Sequence, residues 1–128
     1  MVGLSALTTA LGGEPSAQNY TVCFGKDSTD TNLQLIFRNA STMSKIDLGI
    51  APTAENIFDI MLFCPPNGSS ITCRVVRRND GTVLADNVEQ TLNIPVNTAM
   101  LTTHASIRSG SAAAIAMSVM QIYIESDL

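Results

Sequence analysis

The chain is 128 residues long, 45% hydrophobic and only 14% charged, which predicts one domain able to bury its own core and leaves no room for a second. Its net charge of −4 and pI near 4.6 exclude the basic footprint that displaces counterions from phosphates, so no nucleic-acid partner is expected. A charged fraction below the roughly 25% of ordinary soluble chains, with positive mean hydropathy, favours an oligomer or a part of a larger assembly over a monomer with a hydroxyl-rich surface.

Met1 to Leu11 mixes small residues with Leu4, Leu7 and Leu11 and predicts a strand entering a short turn, or a brief helical turn. It has no basic segment, and its apolar run is too short for a secretory signal or a span, so membrane insertion is not expected. Gly12-Gly13-Glu14-Pro15-Ser16 interrupts either ladder. Asn19 to Gly25 predicts a strand, and Lys26 to Thr31 a polar turn. Asn32 to Asn39 then alternates, Leu33, Leu35 and Phe37 facing one way and Gln34, Ile36 and Arg38 the other. That pattern predicts a half-buried antiparallel strand, paired with the preceding one in a hairpin.

After the polar turn Ala40 to Ser44, Lys45 to Gly49 predicts a short strand with Ile46 and Leu48 on one side, and Pro52 makes Ile50 to Asn56 a loop. Ile57 to Cys64 (IFDIMLFC) has Asp59 as its only charge and predicts a strand buried on both faces. Pro65 to Ser70 contains Asn67-Gly68, a hairpin signal, but the two prolines before it predict a longer loop. Ile71, Cys73 and Val75 alternate with Thr72, Arg74 and Val76, and Asp80-Gly81 marks the next turn. Val83 to Ile94 reads as a strand that is polar in its middle and stops at Pro95, and Thr98 to Ile107 leads to the last run.

That run, Ala112 to Glu125 (AAAIAMSVMQIYIE), places apolar side chains in both alternating registers. Its β-branched and aromatic end predicts a strand with protein packed on both sides, the alternative being a helix with Ile115, Val119 and Ile122 on one face. The sum is an all-β, antiparallel β-sandwich, jelly-roll or lectin-like, of about eight strands, with residues 1–128 as a single domain.

The chemistry of an active site is poorly marked. His104 is the only histidine, and no nucleophile motif lies near it. Cys23, Cys64 and Cys73 have no metal-like spacing. A hairpin could bring Cys64 and Cys73 together, but buried thiols are the commoner arrangement. Asp27 and Asp30 share one turn and, with Ser28, suggest Ca²⁺, yet the rest of any calcium loop is missing. With no Trp and two Tyr, the chain has few of the aromatic platforms on which a glycosidase holds sugars. The reading is therefore no enzyme, no cofactor and no metal. The residues we expect at a subunit contact are Ile115, Met117, Val119 and Met120, and at any ligand contact Asp27, Asp30 and Asn67.

Several stretches taken together, VGLSALTTALGGEPSA, GKDSTDTNLQLIFRN, KIDLG, FDIMLFCPPNGSSITCRVVRR, NIPVNTAML and IYIESDL, resemble a C-terminal β-sandwich module of tailed-bacteriophage virion surface proteins of the tail-fibre or tail-spike type. Family members more often finish with an aromatic residue where Leu128 stands. They also continue upstream with further strands, so the resemblance implies a separately translated C-terminal part of a larger module, a shortened piece of one, or a compact stand-alone gene product. It implies a homotrimer that caps or stabilises a fibre or spike among other virion proteins and contacts a host cell-surface polysaccharide as receptor. Such a protein is assembled into virions in the bacterial host cytoplasm. A capsid decoration (cement) protein and a lectin-like carbohydrate-binding module are the alternatives.

Overall fold

The computed structural model describes residues 1–66, 68–109 and 115–125. Among these, eight strands form two antiparallel sheets. They are β1 (Val2–Ser5), β2 (Thr21–Gly25), β3 (Gln34–Arg38), β4 (Met43–Asp47), β5 (Phe58–Phe63), β6 (Ile71–Arg77), β7 (Thr82–Gln90) and β8 (Thr102–Ala105). One sheet has the order β4-β3-β2-β1-β8 and the other β5-β6-β7, so each is a meander of consecutive strands except where β8 returns beside β1.

The core lies between the sheets. Val22, Phe24, Leu35 and Phe37 from β2 and β3 meet Ile71, Cys73, Val75 and Ala85 from β6 and β7. The Phe24 and Phe58 rings approach to 5.0 Å between centroids, a tilted packing suited to their quadrupoles. Register shows which residues face inward. Phe24 and Leu35 are direct partners, and Val2 sits opposite Phe24, so Val2, Phe24, Leu35 and Ile46 form one inner row. Leu4, Val22 and Phe37 form the next.

Two strands bury their faces differently from the expectation. β3 was expected to be half-buried but is buried on both faces, because residues 6–20 fold across the outer side of its sheet. There Met1, Leu11, Cys23 and Ile36 make a second, smaller cluster. Gly3 lies in this outer row opposite Cys23, where a side chain would strike the Val22 carbonyl oxygen and come within 2.6 Å of the Cys23 Cα. β5 was expected to be buried on both faces but alternates, with Phe58, Ile60 and Leu62 half-buried and Asp59, Met61 and Phe63 exposed. Among the described residues no loop covers its outer side, so composition overstated its burial.

The last run is the main correction. Ala112 to Ala114 lie outside the described residues, and 115–125 form neither strand nor helix. Ile115, Val119 and Ile122 are exposed, as are Met120 at 85% and Tyr123 at 78%. Apolar content in both registers suits a strand to the middle of a sheet, but a strand also needs a backbone partner, and within one chain the described residues supply none.

The β6–β7 pair explains the polar centre of β7. Cys73 pairs with Val88 and Val75 with Ala85, so Asp86 and Asn87 together stand opposite Arg74. That is a bulge, with Asn87 at φ 50, and it brings Asp86 to 3.4 Å from Arg74.

Candidate functional site

Three features outside the core could carry function: a charge cluster on the five-stranded sheet, a cleft at one end of the sandwich, and the segment 115–125.

The charge cluster contains the two acidic residues expected at a ligand contact. Lys45 stands opposite Ile36 on the outer face of the sheet, and its Nζ lies 2.7 Å from an oxygen of Asp27 and 2.7 Å from one of Asp30. The Asp27 backbone N–H donates to Asp30 at 2.9 Å. Asp27 also accepts from the Ser16 backbone at 3.1 Å and from the Ser16 hydroxyl. Arg38 reaches the same loop, donating to the Ser16 carbonyl at 3.0 Å and to Asn19 at 3.1 Å. Residues 6–20 are thus fastened over the sheet by charge at one side and by the buried Ser5–Thr21 hydroxyl pair, 2.9 Å apart, at the other.

Burial opposes ionisation of Asp27, but hydrogen bonds from Lys45 and Ser16 and the nearby ammonium outweigh it and hold the carboxyl below its ordinary value. Burial likewise opposes the charge on Lys45, and its bonds to Asp27 and Asp30 outweigh that and raise its pKa. The polar turn Lys26 to Thr31 therefore does not simply point outward: Asp27 is buried. An ammonium already sits where Ca²⁺ would, and no group of metal-ligating side chains large enough to hold an ion occurs among the described residues. Asn67, the third expected ligand residue, lies outside them. Nothing in the sequence had marked Ser16 or Lys45, because Lys45 comes from another strand and Ser16 from a loop with no periodicity.

The cleft has a volume of about 270 Å³ and is lined mainly by Leu4, Cys64, Pro65, Ile71, Ile94 and Leu101. It shows where β5 lies: its C-terminal end stands beside β1. At the other side of the sandwich, Asn93 after β7 donates to Ser44 of β4 and accepts from Thr42. The three-stranded sheet thus lies over β2, β3 and β4, with only the C-terminal end of β5 reaching the cleft beside β1.

All three thiols are free. Burial pushes Cys23 and Cys73 up to about 12, which suits the buried role expected of them. Cys64 is exposed instead, since β5 ends one residue before it. His104 is half-buried, with Nε2 2.7 Å from the Ser106 hydroxyl.

The expected subunit-contact residues Ile115, Met117, Val119 and Met120 all lie on the exposed segment. Met120 shares a groove with Ile57, Arg78 and Asn79 near the start of β5.

Fold and surface together define a two-sheet antiparallel β-sandwich with a charge-fastened flap and an unpaired apolar segment. Comparison with protein-family models, curated proteins and solved structures gives no match. No helix among the described residues is long and apolar enough to cross a membrane.

Proposed function

We propose that this chain is a non-enzymatic structural module of a tailed-phage virion, a homotrimer that caps or stabilises a tail fibre or spike. The observation that carries the reading is the segment 115–125, which presents Ile115, Val119, Met120, Ile122 and Ile124 to solvent with no strand partner among the described residues of its own chain. Apolar side chains at that density are unfavourable in water and favourable in an interface. The sequence resemblance supplies the virion and the threefold symmetry, and the low charge of the whole chain agrees with surface covered by neighbours. Host polysaccharide contact belongs to the same reading, with the Asp27–Asp30 turn, whose carboxylates pair with Lys45, as its candidate contact.

Linkage tests the proposal. If subunits fold together, the thermal midpoint rises with protein concentration, because association stabilises the folded state by mass action. Melting curves at increasing dilution should shift downward. A midpoint independent of concentration, in a protein that stays monomeric throughout, would overturn the reading.

A further inference from the structure

The sandwich has four edge strands, β4 and β8 in one sheet and β5 and β7 in the other. Natural edges are blunted against stray pairing by charge, bulges or brevity. β4 carries Lys45 and Asp47, β7 carries Asp86, Glu89 and the bulge, and β8 has only four residues. β5 is the least protected: its sequence is Phe-Asp-Ile-Met-Leu-Phe, with no lysine, no proline, no bulge, and Asp59, near its start and paired with Arg78, as its one charge.

The space beside that edge is only partly filled, residues 94–101 lining the cleft over Leu4 at the C-terminal end of β5. β5 packs over β2 through the 5.0 Å Phe24–Phe58 contact, and the core cluster includes neither Val2 nor Leu4, the inner-facing residues of β1. Phe58, Ile60 and Leu62, the inward row of β5, are only half-buried, whereas Ile71, Cys73 and Val75 of β6 are fully buried. Strands in a sheet lie about 4.8 Å apart, so one more strand along β5 would sit above β1 over Val2, with Leu4 at the end where residues 94–101 line the cleft.

Such a strand must be apolar on both faces, because one side meets the core and the other continues the row of Met61 and Phe63. Among the described residues, 115–125 has that pattern, with Ile115, Met117, Val119 and Tyr123 in one register and Met120, Ile122 and Ile124 in the other. In its own chain this segment makes no ladder with β5, and Met120 passes the end of the strand beside Ile57, Arg78 and Asn79. We propose that β5 is the acceptor edge for segment 115–125 of a second copy, so that each subunit completes its neighbour's three-stranded sheet. Each copy then gives one strand and receives one, a head-to-tail contact that closes into a ring under rotational symmetry.

This inference rests on the assembly reading and adds the surface that carries it. The test compares the full-length protein with the double variant Val119→Asp/Ile122→Asp, which charges both registers at positions exposed in the isolated chain. Mass by light scattering, fold by circular dichroism and amide hydrogen exchange across Phe58–Phe63 are read together. The expected result is an oligomer whose outward β5 amides exchange at least tenfold more slowly than in the variant, the variant being a folded monomer. An oligomer with freely exchanging β5 amides would overturn strand exchange while leaving assembly intact. Slow exchange at β5 in protein diluted to monomer would mean that the chain's own segment fills the edge and would overturn the second-copy assignment. A wild-type monomer with an unprotected edge would overturn both readings.

Discussion

Lys45 decides the character of the most charged site in the fold. Asp27 and Asp30 both turn to it, and Asp27 ties the Ser16 loop to the sheet. Replacing it in Lys45→Met removes the cation and leaves two neighbouring carboxylates, one of them buried, which should cost about 2–3 kcal/mol. The pH dependence distinguishes this from a simple packing defect. Because the folded pKa of Asp27 is depressed below 3.8, the stability it adds is present above that value and lost as pH falls through the folded pKa. The raised Lys45 contributes below 10.5 and loses its contribution as pH rises through its folded value. Urea unfolding between these limits should show the full deficit of the variant, and the deficit should shrink in acid, where its carboxyls protonate. A deficit that is constant with pH would contradict the clamp. The sequence marked the two acids as a pair but gave no sign of their partner, since the cation arrives by strand pairing and not by proximity along the chain.

Alternation located the elements well, but the number of buried faces depends on what lies above each sheet. The hairpin of β2 and β3, the turn at Gly81 and the alternation of β6 all follow from local residue order. The covering of β3 by residues 6–20 and the bare outer side of β5 do not, because both are set by distant chain. Two substitutions separate these faces. Phe37→Ala, at a position fully buried between the sheets, should cost about 3–5 kcal/mol through lost burial and the cavity it leaves. Met61→Lys, on the uncovered side of β5 where Met61 is 45% exposed, should change stability by less than about 0.5 kcal/mol. Denaturant midpoints of the two variants, read in protein diluted to monomer, check the assignment, and a large loss from Met61→Lys there would show that a further element covers this face within the monomer.

At the scale of the whole molecule, the two sheets are unequal, five strands against three, and an apolar segment remains over. The sequence marked this run for a strand with protein packed on both sides, whereas in its own chain 115–125 is exposed and joins no ladder among the described residues, and the eight strands form their two sheets without it. The exposed apolar segment and the free edge of β5 are complementary in pattern, and that complementarity is what supports the proposed assembly. The most direct measurement is the absolute mass of the purified protein by light scattering across a dilution series. The account predicts three times the 13.6 kDa chain mass, held until high dilution. A monodisperse species of single-chain mass at every concentration would contradict it.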